Sequence, residues 1–255
     1  MLPIERRKEI MDILIKQGSV KADELAQRYQ VGVPTIRRDL KYLSKEYGVN
    51  LMYGGAYVDE PSSYQTAEEF SITQKRQAHL PEKRIIAQKA ARLIHAGDTI
   101  ALNSGSTVEL ILDYVDDTIP INVVTLSLNV AAKARTLSHA TVYMPGGKMR
   151  NISGAFIGSF TNDFLRNFNI DKAFMGVLAV SLKKGVTHSS LEECITNQTL
   201  AEVSDACYLV ADYSKFDKVS MANMFDLDMF DAFITDDKMP DRYKEYARAN
   251  DITVI

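Results

Sequence analysis

Three cations near residue 40 have the chemistry to bind phosphate and to contact the edges of DNA bases. Arg37, Arg38 and Lys41 lie in a stretch whose apolar residues recur at helical spacing. Those apolar residues are Val33, Ile36, Leu40 and Leu43. At about 100° per residue, Arg38 and Lys41 fall opposite the apolar stripe, Arg37 lies on its flank and Thr35 is near the helix start. The spacing predicts a helix with a cationic outer face, suited to the major groove of DNA.

A second group of polar residues follows apolar, strand-like segments. The string Asn103-Ser104-Gly105-Ser106-Thr107 follows one such segment and precedes a helical pattern, while Thr125, Gly147 and Lys215 lie at the ends of three others. Backbone N–H groups at a helix start, hydroxyls and a lysine suit a phosphate dianion. Because the carboxyl ends of parallel strands meet at one edge of a sheet, we expect a small anionic ligand there. The alternative is that these residues only cap helices and turn the chain.

The cationic helix is preceded by two further predicted helices and followed by a predicted hairpin. Apolar periodicity predicts helices over about residues 4–17 and 22–29, with a tight turn at residues 30–32 before the cationic helix. Residues 48–58 alternate in polarity and turn at Gly54-Gly55, which is typical of a β-hairpin. Three helices and a hairpin form the outline of a winged helix-turn-helix. This context favours DNA binding over the alternative, a solvated basic face.

The remainder of the chain alternates apolar runs with helical patterns. The predicted strands are Thr99–Leu102, Asn122–Thr125, Thr141–Met144, Lys172–Met175, Tyr208–Ala211, Ala232–Thr235 and Thr253–Ile255. The helical patterns cover residues 82–95, 108–115, 128–137, 161–168, 191–204 and 241–250. This alternation predicts a mostly parallel α/β sheet covered on both faces. Residues 148–158, rich in Gly and Ser, are expected to form a loop or a hairpin.

Net charge changes sign along the chain. The 255 residues carry a formal charge of −3, which by itself argues against a nucleic-acid partner. Residues 1–58 contain ten Lys and Arg against seven Asp and Glu, a net +3, and the remainder is therefore −6. Residues 59–81 are polar and bounded by prolines, so we expect a linker there, with a short helix near residues 67–75. The predicted domains are a winged helix-turn-helix at 1–58, the linker at 59–81 and an α/β ligand-binding domain at 82–255.

Composition excludes several other classes of protein. Hydrophobic residues at 46% and charged residues at 25% are typical of a globular chain and not of a disordered one. No apolar run reaches the roughly 20 residues of a membrane span, so we expect a soluble, cytoplasmic protein with no membrane partner. The two cysteines form no C-x-x-C pair and the four histidines show no metal-ligand spacing, so no disulfide, metal or cofactor is expected.

Several strings resemble the DeoR family of bacterial transcriptional regulators. The strings Thr35-Ile36-Arg37-Arg38-Asp39-Leu40 and Tyr53-Gly54-Gly55-Ala56 resemble its N-terminal signature. The sequence also resembles the effector domain of this family, at residues 103–107, 124–125, 145–147, 171–176 and 212–216. The resemblance implies a winged helix-turn-helix repressor of carbohydrate-utilisation genes. It also implies an effector domain similar in fold to ribose-phosphate isomerase that senses a phosphorylated sugar.

The resemblance also implies roles for individual residues. The implied DNA contacts are Thr35, Arg37, Arg38 and Lys41. The residues implied to line the effector pocket are Ser104, Gly105, Ser106, Thr107, Thr125, Gly147 and Lys215. The expected partners are double-stranded operator DNA, a phosphorylated sugar and further copies of the chain. A dimer or tetramer is expected because one small DNA-binding domain reads only half of a site.

Two other functions remain open at this point. One is a sugar-phosphate isomerase with an N-terminal helical extension, which needs a general base within reach of its substrate. The carboxylates that could serve as this base are Glu192, Glu193, Asp212 and Asp236. The other is a transcriptional activator, which would share every residue with the repressor.

Overall fold

The structure, a computed structural model, describes residues 3–47, 49–57, 65–67 and 69–255. Its contacts divide the chain into two units, Met1–Thr66 and Ala67–Ile255. Of the predicted linker, residues 59–64 and 68 lie outside the described residues. Its second half belongs to the second unit and is largely helical, since one helix covers Ile72–Gln77 and another begins at Leu80.

Three helices and a small antiparallel sheet make up the first unit. In chain order its elements are α1 (Pro3–Gln17), β1 (Ser19–Lys21), α2 (Ala22–Tyr29), α3 (Val33–Tyr47), β2 (Asn50–Met52), β3 (Gly55–Tyr57) and β4 (Gln65–Thr66). The sheet has the order β1-β3-β2, and both pairs are antiparallel. The predicted winged helix-turn-helix is confirmed, and β1 is a strand that the sequence pattern did not indicate.

The two glycines of the wing have different roles. The turn lies at Tyr53-Gly54, one residue earlier than predicted, and Gly54 has a φ of +82°, where glycine is favoured. Gly55 is already in β3, where it pairs with Lys21 of β1. A Cβ atom at Gly55 would lie 2.0 Å from the carbonyl oxygen of Val20. Glycine at position 55 is therefore required by the close approach of β1.

A buried carboxylate fixes α3 to α1. Asp39 is only 1% exposed, and its two oxygens accept hydrogen bonds from Arg6 Nε and Arg7 Nε, each at 2.7 Å. The Arg7 guanidinium also lies 4.1 Å from the centre of the Tyr42 ring. On the same inner side of α3, the apolar residues Ile36 and Leu40 are fully or nearly fully buried. The inward face of α3 is thereby fixed, which determines which residues point outward.

The second unit is larger, and its elements follow one another as alternating strands and helices. Its helices are α4 (Ile72–Gln77), α5 (Leu80–Ala91), α6 (Ser106–Ile111), α7 (Leu128–Ala134), α8 (Ser159–Leu165), α9 (Leu191–Glu202) and α10 (Asp241–Ala249). Its strands are β5 (Thr99–Leu102), β6 (Ile121–Thr125), β7 (Ala140–Tyr143), β8 (Lys148–Arg150), β9 (Ala155–Ile157), β10 (Ile170–Gly176), β11 (Ala179–Ser181), β12 (Gly185–His188), β13 (Ser204–Ala211), β14 (Lys218–Val219), β15 (Ala222–Phe225), β16 (Ala232–Thr235) and β17 (Thr253–Val254).

Seven of these strands form one parallel sheet with the order β17-β16-β13-β10-β5-β6-β7. They correspond to the seven strands predicted from the sequence, so the predicted parallel α/β sheet is confirmed. Alternate residues of β10 enter different apolar clusters, with Ala173 and Met175 in one and Phe174 in the other. The sheet is therefore covered on both faces, as parallel sheets are.

Shorter antiparallel pairs complete the second unit. Strands β8 and β9 form a hairpin within residues 148–158, where a loop or a hairpin was expected. Strands β11, β12 and β15 form a separate three-stranded sheet that the sequence pattern did not indicate. Both cysteines are buried and unbonded to each other, and burial raises the pKa of each thiol to about 11. None of the described helices is long and apolar enough to span a membrane.

The Asp39 carboxylate gives a test of the first unit. In Asp39→Ala, the buried Arg6 guanidinium loses its anionic partner, so we expect the unfolding free energy of this unit to fall by about 3 to 5 kcal/mol. Amide hydrogen exchange of α3 in the full chain measures this change. The control is Asp23→Ala, which removes an exposed carboxylate of α2 and should cost below about 1 kcal/mol. Equal protection of α3 in the two variants would contradict the proposed role of Asp39.

Candidate functional site

The first candidate site is the outer face of α3. Arg37, Arg38 and Lys41 are exposed, and none of the three forms an ion pair with another residue in the described part of the chain. Thr35 is half-buried in the first turn of the helix. Since exposed cations with no protein partner are free to contact phosphates and base edges, this face has the geometry of a recognition helix.

The second candidate site is a cavity in the second unit, at the carboxyl ends of β5, β10 and β13. The lining includes every residue from Asn103 to Thr107, a segment that covers the loop after β5 and the first two residues of α6. At the end of the neighbouring strand β10, Gly176 fits closely, because a Cβ there would lie 2.9 Å from Cγ2 of Val108. Polar groups that converge on a concave surface are typical of a small-molecule site.

Two lysines give the cavity its charge. Lys215 lies in a short 3-10 turn after β13, Lys75 lies on α4, and both side chains line the cavity. Neither ammonium group has a hydrogen-bond or ion-pair partner among the described residues. Burial lowers the pKa of both lysines, with Asp212 opposing the effect at Lys215 and Glu69 opposing it at Lys75. Cations that lack a neutralising partner in a partly buried cavity favour an anionic ligand.

A third lysine lies close behind the cavity. Lys83 of α5 is 2% exposed, and its ammonium donates to the backbone carbonyl of Lys75. Burial lowers the pKa of Lys83 to about 8, an effect that Asp212 opposes and that Lys215 and Lys75 reinforce. The three ammonium groups therefore raise the positive potential of the same region.

The other end of the cavity carries carboxylate, imidazole and amide groups. Glu193 is 2% exposed, and its Oε1 accepts from Arg150 Nη1 at 3.0 Å and from Ser153 Oγ at 2.5 Å. His188 accepts a hydrogen bond at Nδ1 from the backbone N–H of Ser190, and its Nε2 lies 3.5 Å from Glu193 Oε2. Burial lowers the pKa of His188, and the acceptor role of Nδ1 fits the neutral ring with its proton on Nε2.

Glu69, His188 and Glu193 bring three potential metal ligands within 4.8 Å of one another. Arg150 pairs with both carboxylates, at 2.5 Å from Glu69 and 3.0 Å from Glu193. Burial raises the pKa of Glu69, but hydrogen bonds from Arg150 and Ser189 outweigh this and lower it to about 2. The guanidinium offsets one of the two negative charges and occupies oxygens of both carboxylates, so the cluster is better described as an ion-pair network at the cavity wall.

The structure brings together five of the seven residues predicted to line the pocket: Ser104, Gly105, Ser106, Thr107 and Lys215. Thr125 does not line the cavity because its hydroxyl is fully buried, donating to the Leu102 carbonyl at 2.6 Å and accepting from Ser127 N–H at 3.1 Å. Gly147 lies beyond β7 near the ring of Phe160, also outside the cavity lining. Neighbouring strands thus carry residues to the same sheet edge without placing all of them in one site.

Sequence reasoning missed four polar residues of the lining: Lys75, His188, Glu193 as a binding residue, and Asn197. Lys75 lies in a segment assigned to the linker. His188 ends β12, which follows β11 without an intervening helix and so lies outside the alternation of strands and helices used for prediction. Glu193 and Asn197 are spaced i, i+4 on α9 and are both 2% exposed. Two polar residues on the buried face of a predicted helix are a signal that could have identified them.

Two family models match the chain. The DeoR-like helix-turn-helix domain matches residues 6–62, and the DeoR C terminal sensor domain matches residues 78–237. The chain belongs to the DeoR family of transcriptional regulators. The first unit of this DeoR-family protein is accordingly its DNA-binding domain, and the second unit is its sensor domain.

Relatives of similar length match this DeoR-family chain almost from end to end. It is 32% identical over 250 residues to the lactose phosphotransferase system repressor of Streptococcus mutans, covering 97% of this chain and 98% of the relative. It is 31% identical over 251 residues to the putative aga operon transcriptional repressor of Escherichia coli O157:H7, covering 98% and 93%. It is 28% identical over 253 residues to the HTH-type transcriptional regulator IolR of Bacillus subtilis, covering 99% of both chains.

Among solved structures, the ribose 5 phosphate isomerase A of Neisseria gonorrhoeae is similar to part of this DeoR-family chain. The TM-score is 0.39, the sequence identity is 17%, and the match covers 52% of each chain.

Lys83 gives a pH test of the sensor domain in this DeoR-family protein. Its pKa is about 8 in the folded state and near 10.5 when unfolded, so between these values the unfolded chain binds more protons. The unfolding free energy of wild type should rise with pH across this window, relative to Lys83→Met, by up to about 3 kcal/mol at about 1.4 kcal/mol per pKa unit.

Urea unfolding followed by circular dichroism at pH 7, 8.5 and 10 measures this difference. Below pH 8 the buried lysine is charged and its burial is most unfavourable. The unfolding free energy of Lys83→Met, relative to wild type, should therefore be highest there. Parallel pH profiles for the two proteins would show that Lys83 is not the titrating group.

Proposed function

We propose that this protein represses carbohydrate-utilisation genes and is released from its operator by a phosphorylated sugar. The observation that carries the proposal is the cavity of the sensor domain, where hydroxyls and two unpaired lysines face a polar wall. The names of the relatives support the biological setting, because two of them are called repressors, of an aga operon and of a lactose phosphotransferase system.

The phosphate end of the ligand would bind at the loop of residues 104–107. Ser104, Ser106 and Thr107 offer hydroxyl donors there, and Lys215 and Lys75 offer charge. Helix α6 has only six residues, so its dipole adds little, and side-chain donors with lysine charge carry the interaction. A phosphate dianion would give both ammonium groups the direct partner that they lack among the described residues.

The sugar end would face α9 and β12. Glu193, Asn197 and His188 line this part of the cavity and provide hydrogen-bonding groups of the kind that hydroxyls need. Met224 and Val210 add apolar surface. A charged group at one end and several hydroxyls at the other describe a phosphorylated sugar better than an inorganic anion or an apolar acid.

Binding without catalysis fits the surroundings of the carboxylates that an isomerase would need. Of the four, Glu193 lines the cavity, but its Oε1 already accepts hydrogen bonds from Arg150 and Ser153, so that oxygen is not free to take a proton from a substrate. Asp236 accepts from the backbone N–H groups of Tyr213 and Lys238, and Glu192 pairs with Lys148 at the surface. Asp212 caps the turn that carries Lys215. We therefore propose a sensor and not an enzyme.

On the DNA side, Arg37, Arg38 and Lys41 would contact phosphates and base edges, and Thr35 would add a hydroxyl near the start of α3. One domain of this size reads one half-site, so a dimer or a higher oligomer would bind two half-sites about 34 Å apart. The sugar phosphate would favour a conformation of the protein with lower affinity for DNA, and release follows from that difference.

An activator would share this architecture. A reporter gene placed under the protein's own upstream DNA separates the two, because deleting the regulator raises expression for a repressor and lowers it for an activator.

The DNA proposal is tested with Arg37→Ala combined with Arg38→Ala. Because each good bidentate arginine contact is worth about 1 to 3 kcal/mol, affinity for the protein's own upstream DNA should fall at least tenfold. The salt dependence should also weaken, by about one in the slope of log K against log salt for each lost phosphate contact. Fluorescence anisotropy at several salt concentrations measures both.

The control for this test is Lys8→Ala, which removes an exposed cation of α1 instead of α3. We expect it to change DNA affinity by less than about threefold. If the double variant binds like this control, the recognition face lies elsewhere.

The cavity proposal is tested by thermal stabilisation with a panel of pentose and hexose phosphates. A ligand at 100 times its Kd stabilises a protein by about 2.7 kcal/mol, so the matching sugar phosphate should raise the Tm of wild type clearly. Lys215→Met and Ser104→Ala should reduce this shift, since each removes a donor to the phosphate. Stabilisation that survives in both variants would place the effector outside this cavity, and turnover of a sugar phosphate at enzyme rates would favour the isomerase.

A further inference from the structure

The turn that carries Lys215 is held at its amino-terminal side by two buried carboxylates. Asp212 accepts a hydrogen bond at Oδ1 from the backbone N–H of Ser214, at 3.0 Å. Asp236, which follows β16, accepts one at Oδ2 from the backbone N–H of Tyr213, at 2.8 Å. Lys215 is the last residue of the turn, so its direction also depends on the residues that come after it.

Asp217, two residues after Lys215, has an unusual backbone conformation. Its φ is +57°, in the left-handed region. This region is uncommon for residues other than glycine, and a residue stays there only where its surroundings hold it. The backbone N–H of Asp217 donates to the phenol oxygen of Tyr243 at 3.1 Å, and the same phenol donates to Asp217 Oδ1 at 3.0 Å. One tyrosine hydroxyl therefore binds both the backbone and the side chain of Asp217.

Tyr243 can hold Asp217 because its own position is fixed. It is fully buried on α10, and its ring packs edge to face against Phe216, with the ring centres 4.8 Å apart. Its hydroxyl also lies 3.2 Å from the carbonyl oxygen of Val180 in β11. Arg242 of the same helix pairs with the Asp217 carboxylate, with Nε at 3.1 Å from Oδ1. Phe216, Asp217 and Tyr243 thus form one set of contacts, which we call the clamp.

We propose that Tyr243 is a positioning residue for the effector site, which sets the direction in which Lys215 enters the cavity by holding the clamp together. The described lining of the cavity includes Lys215 but not Tyr243, so the tyrosine acts through the lysine and not on the ligand itself. This inference rests on the proposed effector site. It adds that α10, the last helix of the chain, is required for anion binding.

A lysine in a cavity needs such a clamp because its ammonium group is better solvated in water. Burial lowers the pKa of Lys215, which reflects the cost of keeping the charge in the cavity. A long lysine side chain carries its charge to solvent wherever its backbone allows. Holding the chain on both sides of Lys215 restricts this movement before the ligand arrives, so less conformational freedom is lost on binding. Loss of the clamp should therefore weaken anion binding by way of Lys215.

Binding of inorganic phosphate to the full chain, measured by isothermal titration calorimetry, tests the role of Tyr243. Tyr243→Phe keeps the ring against Phe216 but removes the hydroxyl, and the phosphate Kd should rise roughly fivefold, as is typical for loss of one hydrogen bond. The matched control is Tyr246→Phe, which removes a hydroxyl from the same helix outside the clamp and should bind phosphate as wild type does. Circular dichroism verifies that both variants are folded at the temperature of the titration.

Two double-mutant cycles test whether the effect passes through Lys215. Once Lys215→Met has removed the ammonium group, adding Tyr243→Phe should change the phosphate Kd by less than about twofold, because coupled residues are not additive. In Ser104→Ala, which removes a donor from the loop after β5, adding Tyr243→Phe should still raise the Kd roughly fivefold, because independent sites are additive. A tyrosine with a general structural role would raise the Kd equally in both backgrounds, and that result would overturn the proposal.

Amide hydrogen exchange shows whether the turn itself is loosened. Without phosphate, residues 212–217 should exchange faster in Tyr243→Phe than in wild type, and saturating phosphate should restore most of the protection. If wild type binds phosphate and Tyr243→Phe matches it in both Kd and exchange, the clamp is overturned while the effector site stands. If wild type binds no phosphate, the effector site itself is overturned.

Discussion

Positive charge without a partner is the constraint around which the sensor domain is organised. The described residues place Lys75 and Lys215 at one cavity and Lys83 immediately behind it, and burial lowers the pKa of all three. The cost of this arrangement is offset elsewhere, by two large apolar clusters on the faces of the parallel sheet. A stable sheet can tolerate buried lysines that repel one another at its edge, and an anionic ligand would reduce that repulsion.

Much of this architecture could be predicted from the sequence, because apolar periodicity reports directly on buried strands and helices. The seven strands of the parallel sheet and the cationic face of α3 were found in this way. Strands β1, β11 and β12 were not, since β1 contains a single apolar residue and β11 and β12 follow β10 without an intervening helix, outside the alternation of strands and helices. Lys75 was missed for another reason, because its place in the cavity lining depends on where α4 packs on the sensor domain, which local sequence does not encode.

The residues predicted to form the effector site lie together where the backbone alone determines their position. Ser104 to Thr107 follow β5 directly, so the end of that strand fixes them at the sheet edge. The position of Thr125 also follows from strand geometry. Its hydroxyl is not available to a ligand, because it donates to the Leu102 carbonyl and accepts from the Ser127 N–H. Which side chains at a sheet edge face a cavity depends on hydrogen bonds between loops, and these involve residues far apart in the sequence.

The buried Asp39 has a consequence for how proteins of this design can diversify. Two arginines and an apolar stripe fix the inner face of α3, while Arg37, Arg38 and Lys41 make no ion pair with the described residues. Folding stability and sequence recognition are therefore assigned to different sides of one helix. Duplicated copies of such a gene could acquire new operators by substitution on the outer side alone, without first losing a folded domain.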